Sequence, residues 1–311
     1  MENHSIQPFG EPINPWRLLI ITVVSSFVGF QLIGGFIGIL AVLPFYEGGI
    51  MDFMTAMGDP LSHPDIRMPI LVIQGIGSAF GMIFIPWLIY TKIFKFELNF
   101  GQTRAEVQPL ILTFLLVLFF MAVNSPVVEW NQSIKLPSFL GGLEESLRSM
   151  EQNLEELTKY MTQFNSVGQL LFGMLIIAVI PAIGEELVFR GLVQNHLFRI
   201  TKNVHVAIWV AAFLFGAMHM QFYGMFARMM LGAMFGYLYY FSGSLFYPML
   251  AHFVNNGVAV LAVYMYNKGE LNYNIESPEA LPWHQVLIST VVFILLFFAF
   301  IRNFKRKEYN A

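Results

Sequence analysis

Residues 170–193 read LLFGMLIIAVIPAIGEELVFRGLV, a run apolar enough to cross a bilayer that nevertheless carries Glu185, Glu186 and Arg190. A charge at bilayer depth costs at least roughly 2.5–3.5 kcal/mol on insertion scales. Three charges retained in such a run therefore have work to do that leucines cannot. The composition around it is of the same kind: of 311 residues, 56% are hydrophobic and 12% are charged. Soluble domains average roughly a quarter charged, and a soluble fold would have to pack nearly all of the 32 Phe and 18 Met into one core. The expected class is all-α, a polytopic membrane helix bundle. The net charge of -3, without a long basic tract, excludes a phosphate-backbone grip and hence nucleic acid. Cysteine is absent, which excludes disulfides, thiolate metal sites and a cysteine nucleophile. The opening MENHSIQPFGEPINPW is polar and prolyl and lacks a basic n-region, so no cleaved signal peptide is expected.

An apolar helix of about 20 residues crosses the hydrocarbon. Eight spans follow, at 18–43, 68–90, 109–124, 168–184 with an extension to 197, 206–218, 225–241, 245–266 and 284–300, the third and fifth being short. Lys92, Lys95 and Arg104, then Arg199 and Lys202, then Arg302, Lys305, Arg306 and Lys307 fall on one side of this arrangement. The acidic loops 47–65, 129–156 and 270–279 fall on the other, so both termini are expected in the cytoplasm of a cell membrane, plasma or inner. Arg228, near the outer end of its helix, fits that rule less well. Between the third and fourth spans, Leu147, Met150, Leu154, Leu157 and Met161 recur at helical spacing among Glu and Lys. They predict an extracytoplasmic amphipathic helix at about 143–164. Gly34/Gly38, Gly77/Gly81 and Gly232/Gly236 allow close helix contact, within the chain or between copies, so a homo-oligomer is open. The chain reads as one integral membrane domain, 1–311.

Three polar groups lie within the spans. Glu186 and Arg190, four apart, share a helix face and can pair, a pairing that usually holds structure. Glu185 points about 100° round the helix, has no local cation, and sits where water is scarce, which suits it to accept and return a proton. Pro181 can kink the helix and open a small space beside it. The second group is Phe215 and His219, on one face with Gly216 and Ala217 between them. The third is His252 and Asn256, one turn apart, two donors able to stabilise an oxyanion; Asn255 is expected to point elsewhere. A carboxylate base, a histidine and a His/Asn donor pair suit attack of water on an amide. Glu, His and His are also zinc-ligand types, but no His-Glu-x-x-His occurs, and zinc would leave Glu186 and Asn256 without a role.

EExxxR, then FxxxH, then HxxxN, within a multi-span chain, resembles the CAAX protease and bacteriocin-processing family of intramembrane glutamic endopeptidases, over a core at about 168–265. The resemblance implies Glu185 as general base, holding the attacking water with His219. It implies His252 and Asn256 as the oxyanion site, with Glu186, Arg190 and Phe215 in structural support. No metal and no cofactor is implied, and the cavity would open within the bundle toward cytoplasm or lipid. The expected function is thus a metal-independent glutamic endopeptidase acting on a membrane protein or peptide. The alternative is a non-catalytic scaffold or a bacteriocin-immunity-type peptide-binding protein.

Overall fold

Residues with no water to satisfy their backbones must satisfy them internally, and helices do so within one segment. The computed structural model describes residues 6–8, 13–98, 106–272 and 279–308. Helical rods stand at all eight expected positions. Six are long and apolar enough to cross a membrane: α1 (Pro15–Phe45), α3 (Pro64–Ile93), α4 (Val107–Ser133), α6 (Val167–Thr201), α9 (Phe246–Asn267) and the membrane part, Trp283–Phe304, of α10 (Trp283–Glu308). Between α6 and α9 stand α7 (Val204–Ala217), apolar but short, and α8 (Phe222–Ser242). Apolar side chains such as Phe27, Leu32, Leu171 and Phe298 face outward, as contact with lipid requires. The chain is a multi-pass helical membrane protein. Among the described residues the one strand pairing is a three-residue antiparallel contact of β1 (Ile6–Pro8) with β2 (Phe96–Leu98). Arg104, counted among the inward cations, lies outside the described residues.

The third span is longer than the sequence suggested. Its expected end fell at Asn124, but the bundle supplies partners to Asn124 and, about two turns further on, to Asn131. Asn124 donates Nδ2 to Ala227 O (3.1 Å), while Asn131 donates to Phe222 O (3.0 Å) and accepts from Phe226 N (2.9 Å). The helix therefore continues to Ser133 and clasps the start of α8. In the acidic loop 47–65 a further short helix, α2 (Ile50–Gly58), buries Phe53 and Ala56. Several spans also contain wider π-helical stretches, among them Gly29–Gly34, Leu175–Val179 and Leu187–Val193.

The amphipathic helix is α5 (Gly141–Met161). Its stripe faces the protein: Leu147, Met150, Leu154 and Leu157 are half-buried and Met161 is buried. Tyr160 and Met161 join Phe53 of α2 and Leu170 and Ile176 of α6 in one apolar cluster. At the other end Glu144 accepts from Leu136 N (2.8 Å) and from Arg148 Nε (2.9 Å), and these two partners hold its carboxyl below the ordinary carboxylate value.

The glycine spacing serves contacts inside the chain. A Cβ added to Gly34 would lie 2.6 Å from Gly77 Cα, so α1 and α3 touch backbone to backbone. Gly216 faces Met225 O in the same way, at 2.6 Å, where α7 meets α8.

Two outcomes follow from these contacts. Gly34→Ala should lose about 1–3 kcal/mol, the usual cost of overpacking, when unfolding is followed in detergent, whereas Gly35→Ala, whose Cβ meets only Phe30 O at 3.7 Å, should be near neutral. Because folding lowers the Glu144 value, its contribution is present above the ordinary glutamate range and is lost as pH falls through the lowered value. Amide exchange at Leu136, corrected for the intrinsic rate, should lose protection below about pH 4.

Candidate active site

The site begins with a missing proton. Pro181 has no N–H to offer Ile177 O, four residues earlier, and the freed carbonyl is taken by Asn256 Nδ2 of α9 at 3.1 Å. That bond ties α9 to α6 about two turns before the charged motif. Beyond it the π-helical stretch Leu187–Val193 displaces the regular ladder, and Asn195 Nδ2 contacts both Arg190 O (3.2 Å) and Gly191 O (2.8 Å).

Inside this frame Glu186 is fully buried and accepts at one oxygen, Oε1, from two partners. Arg190 Nη1 donates at 2.7 Å and His252 Nδ1 lies at 2.8 Å. Arg190 also donates Nη2 to Gly232 O of α8 at 2.7 Å, and its guanidinium lies over the rings of Phe215 (4.7 Å) and Phe235 (5.3 Å). Phe235 stacks on the His252 ring at 5.2 Å, and Phe215 sets its edge against both His219 (5.3 Å) and His252 (5.8 Å). Phe215 is thus the apolar hub on which the cation and both imidazoles converge.

The histidine hydrogen bonds fix which ring nitrogen is available. His219, in the turn after α7, places Nδ1 2.9 Å from Phe215 O. A carbonyl only accepts, so Nδ1 carries the proton and Nε2 of the neutral ring is an acceptor. His252 likewise commits Nδ1–H to the Glu186 carboxylate. Its Nε2 accepts when the ring is neutral and donates only when the ring is charged. Glu185 is partly buried as a residue, but its Oε2 is shielded and has no protein partner. Among the described residues no hydrogen bond joins Glu185 to His219.

Glu186, Arg190, Phe215 and His252 are in direct contact, and His219 reaches them through Phe215. Asn256 stands one turn further along α9, anchored to Ile177. Asn255, from its own face of the helix, reaches its neighbour: its Nδ2 donates to Asn256 Oδ1 at 3.1 Å. The sequence reading also passed over Gln194, Asn195 and His196, three buried polar residues in a row on α6. Gln194 donates to Gly236 O (3.3 Å), and His196 Nε2 meets Tyr90 OH (2.7 Å), which in turn meets Thr22 Oγ1 (2.5 Å). The signal was present in the polar triplet QNH inside an apolar extension. Asn195 meets the backbone of Arg190, and Gln194 and His196 hold α6 to α8, α3 and, through Tyr90, α1. Among the described residues no group of three or more His, Cys, Asp or Glu is placed to hold a metal ion.

Residues 167–258 match the family model described as type II CAAX prenyl endopeptidase Rce1-like. The matched segment begins with α6 and includes Glu185, His219, His252 and Asn256, so the resemblance carried by the three motifs is borne out there. Among curated proteins, the uncharacterized protein YpbD of Bacillus subtilis (strain 168) is 27% identical over 106 residues, covering 33% of this chain and 49% of that protein. The chain therefore spans about half the length of the curated relative it matches. No solved structure matches.

Removing one partner of a buried ion pair leaves the other charge stranded. Arg190→Ala should therefore destabilise the protein by about 3–5 kcal/mol, seen as loss of monodisperse protein or a lowered melting temperature in detergent. Arg199→Ala, at the less buried end of α6, should cost much less.

Proposed function

We propose that this chain is an intramembrane glutamic endopeptidase, with its catalytic core at about 168–265 and both ends of the chain in the cytoplasm of a plasma or inner membrane. The observation that carries the reading is the commitment of two Nδ1–H groups, His219 to Phe215 O and His252 to Glu186, beside a Glu185 oxygen with no protein partner. Both Nε2 atoms and the Glu185 carboxylate are left for a guest.

In this reading Glu185 takes a proton from a water molecule as its oxygen bonds to the scissile carbonyl carbon. His219 Nε2, an acceptor, holds the second water hydrogen and sets the lone pair toward the carbonyl. The negative charge that develops on the carbonyl oxygen needs donors. Asn256 retains one amide N–H beyond the one given to Ile177 O. His252, held by Glu186 at Nδ1, donates from Nε2 when its ring is charged. Glu185 then passes its proton to the leaving nitrogen, the C–N bond breaks, and a carboxyl and an amine result. Glu186 and Arg190 hold His252 and the α6–α8 contact and exchange no proton with substrate. A membrane protein or peptide is the substrate class, and no metal or cofactor enters any step.

Cleavage profiling of membranes carrying the wild type or Glu185→Gln tests this, with total metal measured on the purified protein. Fragments that require Glu185, from protein without stoichiometric zinc, are the expected result, with activity falling by at least about a hundredfold. Identical fragment sets across a broad substrate panel would leave peptide binding without hydrolysis as the function. Stoichiometric zinc that is lost on replacing His219 or His252 would overturn the assignment of roles.

A further inference from the structure

Of the polar side chains in the segment 252–256, Asn255 is the one to which the proposed chemistry gives no part. At about 100° per residue, Asn256 stands roughly 40° from His252 round α9 and Asn255 roughly 60° from it on the other side. The direction of the histidine is thus flanked by two amides, both half-buried. The two are joined. Asn255 Nδ2 donates to Asn256 Oδ1 at 3.1 Å, and Asn256 Nδ2 donates to Ile177 O of α6 at 3.1 Å. A primary amide carries two N–H donors and one carbonyl oxygen. At Asn256 the oxygen is engaged from its own helix and one N–H is engaged across to α6, which leaves the second N–H to donate elsewhere. The two bonds also settle which way round the amide lies. Turned over, it would set Oδ1 against Ile177 O and Nδ2 against the Asn255 donor, two like pairs in place of two bonds.

We propose that Asn255 is a positioning residue for Asn256: by donating to Oδ1 it fixes the plane of the Asn256 amide and aims the remaining N–H, without touching substrate itself. A side chain held only at Ile177 O can swivel about that one bond, and its free N–H swings with it. The second bond, at Oδ1, removes that freedom. It also polarises the amide, because hydrogen bonds in a chain strengthen one another, and an amide whose oxygen accepts is a stronger donor at its nitrogen. A donor aimed beforehand at a developing oxyanion needs no reorganisation when the charge arrives. This deepens the role of Asn256 at the oxyanion site and rests on that reading, but the hold on the amide can be measured whether or not any peptide is cut.

The test uses purified full-length protein in detergent, with melting temperature as the check on folding. In protein carrying 15N only in asparagine, the side-chain amide resonance of Asn256 is identified by its loss in Asn256→Ala. Asn255→Leu should move this resonance and speed exchange of its protons with water roughly fivefold, the scale of one hydrogen bond. Asn255→Gln, which keeps an amide donor, should return exchange most of the way to the wild-type rate, and it serves if Asn255→Leu does not fold by showing a resonance closer to wild type than that of Asn255→Ala. On a peptide spanning the cut site found by cleavage profiling, Asn255→Leu should lower kcat by roughly fivefold with KM nearly unchanged. In the Asn256→Ala background the same substitution should cost no further kcat, because nothing is left to position. An Asn256 resonance indifferent to the loss of the Asn255 amide would overturn the proposal. So would a loss of kcat equally large with and without Asn256. A wild type that cuts no peptide would sink the endopeptidase reading instead, and the resonance would still decide the pairing.

Discussion

The bundle is organised around one carboxylate oxygen. Glu186 Oε1 accepts from Arg190 and from His252, and Arg190 hands its remaining reach to the Gly232 carbonyl. In this way α6, α8 and α9 are tied through a single buried charge pair. Desolvating such a pair is unfavourable, and it survives because each charge is met by hydrogen bonds and because Phe215 and Phe235 offer ring faces to the guanidinium. Leucines at these positions would pack the same helices without fixing their rotation. The charged group orients the His252 imidazole directly, while His219 takes its orientation from the Phe215 carbonyl.

The π-helical stretches answer a local demand of the same design. A regular helix can lend a carbonyl only through its second lone pair, as α8 does at Ala227, Gly232 and Gly236. The wider stretch at Leu187–Val193, with Asn195 beneath it, and the proline at 181 both release backbone groups within the bundle, where side chains of α6 and α9 take them up. Irregular backbone at membrane depth is tolerated where protein covers it, and here it lies beside the charged motif. Glycine contacts do the complementary work. Gly34 against Gly77 and Gly216 against Met225 bring backbones close enough for short side chains to bridge.

Much of this was legible in the sequence because hydrophobic run length and charge placement report directly on membrane helices. The eight rods, the inward stripe of α5 and the Glu186–Arg190 pair all come from spacing alone. What spacing does not carry is the partner. Asn124 and Asn131 look like a helix leaving the membrane until Ala227, Phe222 and Phe226 are seen to meet them. The Glu186–His252 bond joins distant residues whose side chains give no mutual signal, so Glu186 read as a brace for α6 when it also holds the α9 histidine. Asn255 was set aside on helical angle, yet an adjacent amide reaches its neighbour's side chain without sharing its face. The triplet Gln194, Asn195 and His196 was visible, and was passed over because it matched no chemistry.

The bond between Asn256 and Ile177 O has a consequence for how such a chain can change. The asparagine is held by a backbone atom whose availability depends on Pro181, a residue that forms no bond with it. Residues 181 and 256 therefore act on one carbonyl from two helices. An N–H restored at 181 would add a second donor to that oxygen, and loss of Asn256 would leave it without its side-chain partner, so the outcome of a substitution at either position depends on which residue stands at the other.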